Sequence, residues 1–283
     1  MHEFFIEPLT YGFIHRGLIV TVIAALVCAL LSCWLILMGW ALMGDAISHA
    51  VLPGVVLAYI FGVPFSLGAI IVALIAVGLI GAVGRRGRIR EDAAIGIVFT
   101  VMFALGLVLI SITPSQTDLH SILFGNVLGV SWSDVAQIAG LAFIVITVLM
   151  VKRRDLVLYA FDPSYTHAIG LNPRLLSGLL LVALAMTSVL ALQIVGVVLV
   201  VALLVIPGST ARLLTDRFTP MLVISSLVSV VGAVTGFYLS YAFDVSAGGS
   251  VVLVLGFFFS VAYLFAPGHG VLAQLRARRA VAA

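Results

Sequence analysis

A chain of 283 residues that is 63% hydrophobic and only 9% charged carries far more apolar surface than a soluble core of that length needs. Its mean hydropathy of +1.32 points to lipid as the solvent, and its 27 glycines suit close packing between membrane helices. The net charge of +3 is gathered into Arg85/Arg86/Arg88/Arg90, Lys152/Arg153/Arg154, Arg212/Arg217 and Arg276/Arg278/Arg279, which read as membrane flanks rather than as a nucleic-acid surface.

In chain order, residues 1–16 form an N-terminal interfacial segment; their early acids and missing basic stretch argue against a signal peptide. Apolar runs follow at Gly17–Gly39, Ala46–Gly62, Phe65–Val83, Ala93–Ile112, Val135–Val151, Leu175–Leu192, Val195–Ile206, Met221–Tyr241 and Ser250–Ala266. Most approach the roughly 20 residues that cross a ~30 Å hydrocarbon layer. The sequence therefore predicts an all-α polytopic membrane protein of eight or nine transmembrane helices in one domain over 1–283. Val195–Ile206 is the short run and is expected to continue through Pro207 as a kinked helix. Cys28 and Cys33 lie within the first run and read as lipid- or core-facing thiols, not as a disulfide or metal pair.

Placing the Arg85–Arg90 loop inside puts every basic cluster on one side, with residues 267–283 as a cytoplasmic tail. Strict alternation of nine spans then sets the N-terminus outside, but no Lys or Arg between Arg16 and Arg85 orients the second run. In the cytoplasmic loop KRRDLVLYAFDPSYTHAIGLNPRL, Asp162 has the place of an N-cap, Pro163 of a first helical residue and Gly170 of a stop. A helix so short is not stable alone. Docking into a groove on another protein is one reason for it, and a plain interfacial loop helix is the other.

The stretch MGDAISHA carries Asp45 and His49 four apart, amid almost no other charge. On a helix the carboxylate and imidazole share one face. Three readings stay open: Asp45 as a helix cap with His49 as a packing residue, a mixed O/N pair suited to Mn(II), Fe(II) or Zn(II), and a proton relay. Two ligands are too few for a metal, whereas a twofold dimer with the site on its axis supplies four. The chain has no P-loop, no H-E-x-x-H and no G-x-S-x-G. Asp118 and His120 read as a solvated loop pair, His167 as a contact residue and His269 as solvated.

The blocks LMGDAISHAVLPGVVLAY, EDAAIGIVFT, DLHSILFGNVLGVS, FDPSYTHAIGLNP and IVGVVLVVALLVIPGSTARLL, in this order, resemble the permease subunits of bacterial ABC importers for manganese, zinc and iron. The first block is nearest to the manganese-type branch. The resemblance implies the ABC importer permease fold, a homodimer in the bacterial inner membrane, two copies of a separate cytoplasmic ATPase, and an extracellular solute-binding protein that delivers the metal. It implies no permanently bound cofactor and no enzyme activity of the chain itself, with Mn2+, Zn2+ or Fe2+ as cargo. By the same resemblance Asp45 and His49 line the ion path. Residues 162–171 form the coupling helix, in which Asp162, Pro163, His167 and Gly170 are the positions to watch. The rival expectation is a proton-coupled secondary carrier of divalent metal.

Overall fold

A computed structural model describes residues 12–84, 91–113, 129–267 and 270–272. Asp118, His120, His269, the Arg85–Arg90 loop and the Arg276–Arg279 cluster lie outside the described residues, as do residues 1–11 of the N-terminal segment. Within the described residues the regular elements are helices: α1 (Gly12–Met38), α2 (Ala41–Ala50), α3 (Leu52–Phe61), α4 (Phe65–Gly84), α5 (Glu91–Ile112), α6 (Trp132–Val151), α7 (Arg153–Phe161), α8 (Pro163–Ala168), α9 (Pro173–Leu214), α10 (Phe218–Phe243) and α11 (Ala247–Phe265). Among the described residues eight stretches are long and apolar enough to cross a bilayer, with α2 and α3 forming one and α9 two. Leu67–Val83 of α4 is a shorter ninth apolar stretch.

The core is built around α1, whose Cys28, Leu31, Cys33 and Trp34 are fully buried. Both cysteines are free, as their place in the first run predicts. Hydroxyls join α1 to its neighbours: Ser225 and Ser229 of α10 donate to the carbonyls of Ala29 (2.8 Å) and Ala25 (2.9 Å), and Ser32 accepts the amide of Gly208 (2.8 Å). In lipid such bonds replace the hydration that these groups lack. Leu253, Phe257 and Phe265 of α11 and Val101, Leu105 and Val108 of α5 point outward, the lipid-facing surface expected of peripheral spans.

One element refines the sequence reading and another departs from it. The run ending at Ile206 continues through Pro207 to Leu214, as expected, with helical backbone at the proline. The break falls instead at Gly196, whose φ of 78° and ψ of 164° are open to glycine almost alone. A straight 42-residue helix would be roughly 63 Å long. Pro173 follows α8 closely, while Thr219, just past the other end of α9, accepts a 2.7 Å bond from Arg153 of α7. Both ends of α9 therefore lie near α7, and the chain reverses at Gly196. That bond also brings the Lys152–Arg154 and Arg212/Arg217 clusters to one face, as the charge pattern predicts. Lastly, the charged stretch RRDLVLYAF, read as loop, forms α7, with Leu156 and Tyr159 buried.

Candidate functional site

Met38 ends α1, and Gly39 in the left-handed region turns the chain into α2. Because α2 begins at Ala41 with Trp40 at its cap position, Asp45 lies inside the helix and caps nothing. The cap reading of Asp45 is thus set aside. Met43, Ala46, Ile47 and Ala50 turn one side of α2 into the core. Gly44 lies so near Leu204 of α9 that an added Cβ would stand 2.8 Å from its Cδ1. Asp45 and His49 occupy the remaining face, with side chains 38% and 24% exposed.

His49 Nε2 stands 3.4 Å from Asp45 Oδ1, longer than a well-formed hydrogen bond. The imidazole also meets two rings of α5: Phe99 at 5.4 Å between centroids, and Phe103 edge-on at 5.3 Å. These residues follow Glu91, the first of α5, by eight and twelve positions. At 1.5 Å per residue the pair therefore lies roughly 12–18 Å from that end of the helix, near the middle of a ~30 Å hydrocarbon layer. A carboxylate and an imidazole at that depth are costly when empty, and a divalent cation offsets that cost. Among the described residues no third His, Cys, Asp or Glu joins them, so one copy offers two such donors.

At the basic face, Asp162 accepts the Tyr165 amide at 2.8 Å and Pro163 opens α8. The helix closes with paired bonds from Gly170 to the His167 carbonyl and from Leu171 to that of Thr166, with Gly170 at φ 86°. Thr166 is the buried anchor; Asp162, Pro163, His167 and Gly170 are exposed, beside exposed Phe161, Tyr165 and Ile169.

The description "ABC 3 transport family" matches residues 10–266. The chain belongs to the ABC 3 transport family. Among the family's curated proteins it is 51% identical over 269 residues to the manganese transport system membrane protein MntB of Synechocystis sp., covering 95% of this chain and 88% of that one. It is 43% identical over 259 residues to the chelated iron transport system membrane protein YfeD of Yersinia pestis, covering 92% and 87%. The solved structure of PsaBC from Streptococcus pneumoniae in complex with Fab superposes with a TM-score of 0.87 at 36% identity, covering 97% of this chain and 99% of that one. The all-helical permease architecture expected from the sequence is thereby shown, and the chain is a multi-pass protein of the bacterial inner membrane. Family membership lends no support to the proton-coupled carrier.

For this family member the sequence reading singled out the two charged groups but missed Phe99 and Phe103. Their i, i+4 spacing was visible, yet paired aromatics on an apolar helix have an ordinary explanation in packing. Leu204 opposite Gly44 left no local signal at all.

Proposed function

We propose that the chain is the permease subunit of an ATP-driven importer of divalent transition-metal ions, manganese foremost, with iron and zinc as the other cargoes its donors suit. The observation that carries this reading is the Asp45–His49 pair, turned to one face of α2 at mid-depth in a family of ABC transport proteins. One carboxylate and one imidazole suit Mn(II), Fe(II) and Zn(II) alike, so the donors alone do not rank these ions. Relatives named for manganese and iron transport support the first two.

Two copies related by a twofold axis through this face bring two carboxylates and two imidazoles to one ion. Few protein ligands, with water filling the rest, hold the ion firmly enough to enter and weakly enough to leave. ATP is hydrolysed by a separate cytoplasmic subunit, which docks on α8 and on the exposed Phe161, Tyr165 and Ile169 around it. A solute-binding protein delivers the ion from outside. ATP-driven closure then moves the helices around the site and changes its affinity for the ion.

The test is Mn(II) uptake into proteoliposomes holding the chain with its ATPase and binding protein, native against Asp45→Ala and His49→Ala. The expected result is uptake lost in both variants, with assembly and ATP hydrolysis kept. Native uptake in both variants would remove the pair from the path, and uptake without ATP would restore the proton-driven carrier.

A further inference from the structure

We propose that Phe99 and Phe103 are positioning residues, an aromatic clamp that holds the His49 imidazole toward Asp45 and so sets the preference of the site for transition-metal over alkaline-earth ions. The proposal rests on the reading of Asp45 and His49 as the ion site. A histidine on a half-open helix face has several staggered side-chain positions, and only some bring Nε2 to Asp45. Here the imidazole is met from α5 by two rings at once, Phe99 tilted by 55° and Phe103 edge-on at 80°. The two rings are themselves stacked, 6.1 Å apart and 27° from parallel, one helical turn apart on a rigid span. Phe99 is also packed against the core, which fixes the clamp to the fold rather than to lipid. Swinging the imidazole to another position would lose both ring contacts together.

Neither phenyl ring has a hydrogen-bond acceptor, so the restraint comes from contact geometry alone. Metal-ligating histidines are more often aimed by a carboxylate or carbonyl on the second ring nitrogen. The consequence is chemical as well as geometric. Calcium and magnesium take oxygen ligands, whereas imidazole favours transition metals. An imidazole fixed in the site adds to the affinity for Mn(II) and does little for Ca(II). A loose one leaves carboxylate and water, which separate the two ions poorly.

The experiment uses the assembled transporter in proteoliposomes, with Mn(II) as cargo and Ca(II) as competitor. The variants are Phe99→Leu, Phe103→Leu, both together, and Phe103→Tyr, with Asp45→Ala and His49→Ala alongside. Leucine keeps apolar bulk without a flat ring, and tyrosine keeps the ring. Each Leu variant is expected to raise the half-saturating Mn(II) concentration about fivefold, the fold-change that corresponds to roughly 1 kcal/mol at 1.4 kcal/mol per factor of ten. The maximal rate and the Ca(II) concentration for half-inhibition should stay near native, and Phe103→Tyr should behave as native. Leu variants with native half-saturation, an equal shift for both ions, or a failure to co-purify with the ATPase would each assign the rings to packing and overturn the clamp. Native kinetics in the Leu variants, with uptake lost in Asp45→Ala and His49→Ala, would sink the clamp alone. Native uptake in those last two would sink the ion site, and the clamp with it.

Discussion

Gly54 of α3 and Gly68 of α4 stand so close that a Cβ on either would collide with the carbonyl oxygen of the other. Backbone cannot swing aside as a flexible side chain can, so the two helices would have to part. Gly54→Ala is expected to destabilise the protein by about 1–3 kcal/mol, the usual cost of overpacking. Gly78, farther along α4, has nothing within 4 Å of the same added atom. There Gly78→Ala should be neutral or stabilising by up to about 1 kcal/mol through helix propensity alone. Thermal unfolding in detergent, comparing the two variants, checks the opposite signs. Legibility at this scale followed contrast. Asp45 and His49 stood out because charge is rare in their surroundings. Gly54, Gly68, Phe99 and Phe103 did not, because small and aromatic residues are the common material of membrane helices.

Among the elements, α8 was the most readable, since Asp162, Pro163 and Gly170 each carry a known backbone preference. Removing the cap with Asp162→Ala should cost this helix about 0.5–2 kcal/mol, while Asp162→Asn retains an acceptor. The expected outcome is ATP hydrolysis less tightly coupled to Mn(II) uptake in the Ala variant than in the Asn variant, measured as ions moved per ATP in the same vesicles. The neighbouring α7 was missed because its opening Arg153-Arg154-Asp155 reads as solvated loop. Its helical form rests on Leu156 and Tyr159, three apart and buried, a tertiary contact with no local mark. The second half of α9 was expected to continue past Ile206 through Pro207, and it does run on to Leu214. The helix continues because its disturbed ladder finds an outside partner, the Gly208 amide donating to Ser32 of α1.

For the molecule as a whole, lipid makes the count of spans readable, because each crossing must satisfy its own backbone. The reversal within α9 was legible as the gap between the runs ending at Leu192 and beginning at Val195, although the glycine that makes it was not. Gly196→Ala places a side chain at φ 78°, ψ 164° and should cost about 1–3 kcal/mol. A lower melting temperature, with less protein recovered folded, is the expected result; an unchanged melting temperature would contradict the backbone geometry at this position. The half-exposed Asp45 has a consequence for the life of the chain before it ever transports. Under the twofold arrangement proposed above, a newly inserted single copy carries a part-exposed carboxylate at mid-depth that a second copy would cover. Pairing that removes this cost would make the stability of the folded subunit rise with its density in the membrane.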